Sequence, residues 1–143
     1  MRTVDEDGDG RSAVELQDMG RVRTAIEVDG TKFWTLFDTG ARNTYVVPAV
    51  ARLLKTGPTI ATFRTALGGA VRETKTHAVL DARIEGRPIS TFAWVIDDIG
   101  LDEDGKNIEI LFGALAMQQW GVRPIPDEER LDLTHYSKDF VEF

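Results

Sequence analysis

Apolar and polar residues alternate along most of the chain, and the apolar runs are short. Val22, Ile26 and Val28 fall on one side of a period-two pattern, Asp29-Gly30 supplies a two-residue turn, and Lys32 to Phe37 continues extended. Thr44-Tyr45-Val46-Val47 is β-branched and aromatic, the composition of a short strand. Pro48 suits the start of a short helix over Ala49 to Leu54, stopped by Gly57-Pro58. Strands are predicted over Thr59 to Leu67 and Ala70 to Glu85, either side of Gly68-Gly69. In the second of these, Ala78, Leu80, Ala82 and Ile84 take one face while Asp81, Arg83 and Glu85 take the other.

Glu85-Gly86-Arg87 turns the chain into an apolar strand, Pro88 to Ile96. Asp97 to Asn107 reads as a polar loop whose acidic residues are solvated charge. Ile108 to Phe112 is a buried strand, Ala114 to Trp120 a short helix, and Val122 to Ile125 and Arg130 to Thr134 are closing strands. Many short strands with one or two short helices predict a mainly β fold, a barrel or a sandwich.

Composition narrows the functional classes. With 143 residues the chain fits one domain plus tails. The absence of cysteine excludes disulfides, thiolate metal sites and cysteine nucleophiles. A net charge of −7 argues against nucleic acid as a partner. No run approaches 18 apolar residues, so no membrane-spanning helix is expected. Met1 to Asp7 lacks a signal-like apolar stretch, and a cytoplasmic location is expected.

Residues 1–20 hold six acidic and two basic residues and read as a flexible tail. Residues 21–134 then form the domain and residues 135–143 a carboxy-terminal extension. Asp5-Glu6-Asp7-Gly8-Asp9-Gly10 opens like a calcium loop, but Leu16 stands where the bidentate Glu belongs. His77 and His135 lack the surrounding pattern of a triad or zinc site. No metal and no cofactor is expected. Trp34, Trp94 and Trp120 sit at apolar positions and read as core.

The chemistry concentrates where the strand Trp34-Thr35-Leu36-Phe37 ends in Asp38-Thr39-Gly40-Ala41. A carboxylate at the end of an apolar strand is costly to bury unless it is hydrogen-bonded. Thr39 offers a hydroxyl, and Gly40 offers a backbone N–H that can approach closely. As an isolated tripeptide, Asp-Thr-Gly is more often a plain β-turn.

The longer segment Thr35 to Val46 resembles the active-site loop of retropepsins, the retroviral-type aspartic proteases. Two more landmarks follow in order: Ala66-Leu67-Gly68-Gly69-Ala70 resembles the flap hairpin, and Ile108-Glu109-Ile110-Leu111-Phe112-Gly113-Ala114 resembles the second signature. Gly121 to Ile125 and Arg130 to Leu133 look like the closing strands, so the resemblance spans Arg21 to Leu133.

The resemblance implies a closed acid-protease barrel with one lobe per chain. It implies Asp38 as the catalytic residue, supported by Thr39 and Gly40. Ala41, Arg42, Leu67, Gly68 and Gly69 would meet substrate, while Ile110, Leu111, Phe112 and Gly113 would pack beneath the loop. Arg42 departs from the family, whose retroviral members commonly carry an acid there, so subsite preference does not transfer.

Such chemistry needs two carboxylates around one water, and the chain has a single Asp-Thr-Gly. The implied partner is therefore a second copy in C₂ symmetry, besides a peptide substrate. Two carboxylates about 3 Å apart repel by roughly 5 kcal/mol at an effective dielectric near 20, equivalent to about 4 pKa units, so the pair shares one proton. The alternative is a retropepsin-like dimerisation or peptide-binding module that is proteolytically silent.

Overall fold

The computed structural model describes residues 20–142. The acidic tail expected over residues 1–20 lies outside them, apart from Gly20. Among the described residues, nine strands, two short α-helices and one 3₁₀ turn make a mainly β molecule. Strands β1 (Arg21–Val28) and β2 (Thr31–Asp38) form a hairpin about Asp29-Gly30, with Val28 paired to Thr31. Next come β3 (Tyr45–Val46) and helix α1 (Pro48–Ala51). The long strands β4 (Lys55–Leu67), β5 (Ala70–Ile84) and β6 (Arg87–Val95) follow. The chain closes with β7 (Ile110–Phe112), helix α2 (Ala114–Trp120), β8 (Arg123–Ile125) and β9 (Arg130–Asp132).

Seven strands make one sheet in the order β1-β2-β7-β3-β6-β5-β4. Glu27 of β1 also pairs with Arg83 of β5, so the sheet curls back around its core. β7 lies parallel to β2, with Leu36 beside Leu111 and Phe37 beside Phe112, and antiparallel to β3. The strand that ends in Asp38 thus lies inside the sheet, between β1 and β7.

The period of two decides what each strand shows to each side. Phe33, Thr35 and Phe37 of β2 are buried on one face, as are Ile110 and Phe112 of β7 and Val46 of β3. The Phe37 and Phe112 rings meet at 5.2 Å. Leu36, Leu111 and Tyr45 point the other way and form a second cluster with Ile96, Ile99 and Ile108. Asp38 lies two residues after Leu36 and therefore shares that second face. Helix α2 seals the main core with Ala116, Met117 and Trp120, and Gly121 ends it in the left-handed conformation.

Four local expectations are revised. The first helix covers Pro48–Ala51 and relaxes into a turn before Leu54. Strand β4 begins at Lys55 and runs through Gly57-Pro58, which stops nothing. Pro58 is tolerated because β4 is an edge strand, and its register breaks between Pro58 and Phe63. The Asp97–Asn107 segment is not simply solvated, since Ile99 is buried and the side chain of Asp102 is only 2% exposed. Of the tryptophans, Trp120 is core, while Trp34 and Trp94 are half-buried on the second face. The carboxy-terminal extension folds back, with Tyr136 and Phe140 packing on Trp120.

Candidate active site

Asp38 is held at the end of β2 by its own chain. Its Oδ1 accepts the Gly40 N–H at 2.8 Å, and the Ala41 N–H closes a turn onto the Asp38 carbonyl at 3.1 Å. Arg21, its cross-strand neighbour in the β1–β2 register, places Nε 3.4 Å from Oδ2. That guanidinium is 43% exposed while the Asp38 side chain is 13% exposed, so the contact is a water-screened ion pair.

The loop after Asp38 is fastened from behind. Ala114 and Leu115 at the start of α2 donate their N–H groups to the carbonyls of Ala41 and Arg42 at 2.7 and 3.1 Å. The Gly113 N–H donates to the Thr44 hydroxyl at 3.1 Å. Gly113 is needed because a Cβ there would stand 2.1 Å from the Asn43 carbonyl oxygen. The Thr39 hydroxyl is exposed and donates to the Gly20 carbonyl at 3.3 Å.

Above this loop stands the β4–β5 hairpin. Leu67 and Ala70 pair directly, which leaves a two-residue turn at Gly68 and Gly69. Their φ angles of +57° and +82° are those of a type I′ turn, open to glycine at little cost. The hairpin is tethered near its tip, where the Tyr45 hydroxyl and the Thr65 hydroxyl lie 2.8 Å apart. Phe63 packs on Trp94 at 5.0 Å.

Between the two lies a cleft of about 410 Å³. Asp38, Gly40, Ala41, Leu67, Gly68 and Leu111 line it, so the Asp38 loop and the hairpin tip meet at one place. Arg42, Thr39 and Gly69 do not line it. Ile110, Phe112 and Gly113 are buried behind the loop, whereas Leu111 is both packed and part of the cleft wall. Sequence reasoning missed Arg21, Leu36, Ile99, Leu101, Asp102, Glu103 and Ile108, all of which also line the cleft. Leu36 was signalled by its period-two relation to Asp38, and Ile99 and Leu101 by their alternation within the polar loop. Arg21 carries no local signal, because only strand pairing brings it to Asp38.

Asp102 is the most strongly organised acid near the cleft. Burial opposes its ionisation, but the Lys106 N–H, the Trp34 indole and the Asp104 N–H, aided by the Arg23 guanidinium, hold its carboxyl below the usual carboxylate range. Among the described residues, no cluster of His, Asp or Glu is arranged to hold a metal ion, and no helix is long and apolar enough to cross a membrane.

Neither a family model nor a curated protein sequence matches the chain. Solved structures do. The retroviral protease-like domain of Ddi1 from Leishmania major matches with a TM-score of 0.56 at 12% identity, over 82% of this chain and 90% of that domain. EIAV protease complexed with the inhibitor HBY-793 matches with a TM-score of 0.47 at 24% identity, over 72% and 90%. The foamy viral protease-reverse transcriptase in complex with an RNA/DNA hybrid gives 0.48 at 15% identity, over 71% of this chain and 12% of that one. The chain has the fold of a retroviral protease-like domain.

Proposed function

We propose that this chain is a retropepsin-like aspartic endopeptidase that completes its site by pairing with a second copy. One observation carries the reading. Asp38 stands on the cleft face at a strand end, its carboxylate aligned by the Gly40 N–H beneath a glycine-tipped hairpin. The chain has a single Asp-Thr-Gly, so the second acid that the chemistry needs is supplied in C₂ symmetry as the other copy's Asp38. The face beside it suits a symmetric contact. Thr39 is exposed there next to a groove of about 530 Å³ between α2 and β8, lined by Met117, Val122 and Pro124, with Leu115 exposed nearby.

In the dimer the two carboxylates share one proton. The ionised Asp38 takes a proton from the bridging water as its oxygen attacks the peptide carbonyl, and the protonated mate polarises that carbonyl. The proton taken from water then passes to the leaving nitrogen as the C–N bond breaks. Gly68 and Gly69 let the hairpin close over the peptide and exclude solvent.

The test is a diverse peptide library incubated at pH 4 to 7 and read by mass spectrometry. Cutting by the native chain and none by Asp38→Asn is expected. No cutting, or equal cutting by both, overturns the reading and leaves the proteolytically silent module. Sedimentation under assay conditions is expected to show a dimer, and a strictly monomeric active species contradicts the shared site.

A further inference from the structure

We propose that Asp102 is a positioning residue for the cleft, pinning the loop over residues 97–109 so that Ile99, Leu101 and Ile108 stand as a preformed apolar wall that selects the substrate side chain. The proposal rests on the protease reading and adds to it the origin of side-chain preference.

The loop has little regular structure, only one isolated bridge between Leu101 and Asn107. Such a segment is free to sample many shapes unless something fixes it. Backbone bonds close the loop on itself, from the Asp102 N–H to the Lys106 carbonyl at 2.8 Å and from the Ile108 N–H to the Gly100 carbonyl at 2.9 Å, and the Asp102 carboxylate joins its tip to the sheet. Asp102 Oδ1 accepts the N–H groups of Asp104 and Lys106 at 2.9 and 2.8 Å, which folds the loop tip around it. Its Oδ2 accepts the Trp34 indole N–H at 2.8 Å, and Arg23 stands 3.6 Å away. A carboxylate with a 2% exposed side chain persists only with such partners.

The anchor point matters as much as the anchor. Trp34 belongs to β2, four residues before Asp38 on the same face. The loop grips it three times more. The Lys106 ammonium sits 3.9 Å from the indole centroid, the Trp34 N–H donates to the Glu109 carboxylate at 2.8 Å, and the Glu109 N–H donates to the Trp34 carbonyl at 2.9 Å. Wall and Asp38 are thus both referenced to one rigid strand. Ile99 and Ile108 pack with Leu36 and Leu111, and with Leu101 they line the cleft at a fixed offset from Asp38. A wall already in place spares the substrate the entropy of ordering it, so its loss weakens binding more than chemistry.

The test compares the full chain with Asp102→Asn, Trp34→Phe and the double variant. Asparagine keeps one oxygen for the loop amides but turns an N–H toward the indole N–H. For peptides with a large apolar side chain at the cut, Asp102→Asn is expected to raise KM about tenfold with kcat within about twofold, the scale of one lost charged hydrogen bond. The double variant is expected to recover most of that loss, since phenylalanine removes the opposing donor. Amide hydrogen exchange at Asp104 and Lys106 is expected to speed up in Asp102→Asn, because a neutral amide oxygen accepts their N–H groups more weakly than the carboxylate and its tie to Trp34 is lost.

Unchanged KM, side-chain preference and amide protection overturn the proposal. So does an equal fall in kcat and in thermal stability without recovery in the double variant, which makes Asp102 a stability residue only. If the native chain cuts no peptide, the protease reading falls by itself. The pinning is then decided by exchange alone, and unchanged protection of the two amides overturns it.

Discussion

Asp38 and Asp102 are two carboxylates on the wall of one cleft, and the chain treats them in opposite ways. Asp102 has both oxygens occupied by three N–H donors and an arginine, and its side chain is almost fully sealed. Asp38 receives one backbone N–H and one exposed, screened arginine, and its side chain stays open toward the cleft. A saturated carboxylate holds architecture because every lone pair is spent on geometry. An undersaturated one, aligned but not satisfied, keeps capacity for a water, a proton or a second carboxylate. Both acids sit in turn-forming patterns in the sequence, so it is the count of donors around each that separates a saturated carboxylate from one with lone pairs to spare.

The largest effect expected is from Asp38→Asn, which keeps shape and removes the charge. Peptide cleavage should fall by about 10³-fold or more while circular dichroism stays unchanged. If Asp102→Asn falls as far in kcat, the division of roles collapses.

Next is Gly113→Ala. The added Cβ meets the Asn43 carbonyl at 2.1 Å, so the backing of the Asp38 loop must shift. Destabilisation of about 3 kcal/mol is expected, lowering Tm on the order of 10 °C. Amide exchange should quicken around residues 39–44 and not at Asp104 or Lys106. Uniform loosening would show that the two acids share one support.

Acid titration sharpens the contrast further. The Asp102 carboxyl lies below its ordinary value in the folded chain, so its contribution to stability is complete above the unfolded value near 3.9. It is lost as pH falls through the lowered folded value. Trp34 fluorescence should therefore hold steady through pH 4 to 7 and change only below about pH 4. A transition centred between pH 5 and 6 contradicts the assignment.

The smallest effect expected is from Arg21→Gln. A screened pair of this kind contributes about 1 kcal/mol or less, so stability and kcat/KM should change at most a few-fold. A loss beyond about tenfold would mean that Asp38 is held as tightly as Asp102, erasing the difference.

Much of the fold was legible because period two and glycine turns are local properties. β1 and β2 were readable from Val22, Ile26, Val28 and Asp29-Gly30, and the hairpin tip from Gly68-Gly69. The course of β4 through Pro58 was not, since whether a proline breaks a strand depends on whether that strand is an edge. The candidate site was legible in its centre. Asp38, Gly40 and the Gly68 turn do meet across the cleft, while Arg42 and Gly69 fall outside its lining. The 97–107 loop was misread because its charge is visible in composition, whereas the burial of Asp102 depends on Trp34, 68 positions away in the chain.

By itself the sequence determined the β character, the position of the carboxylate at a strand end and the turn at Gly68-Gly69. Each of these is written in residues within a few positions of one another. Only the tertiary structure decided which residues wall the cleft, that Arg21 sits against Asp38, and that Asp102 is an anchor and not solvated charge. Those outcomes come from strand pairing and from contacts between distant segments, and hydrogen-bond saturation is a property of a neighbourhood that no local stretch of sequence contains.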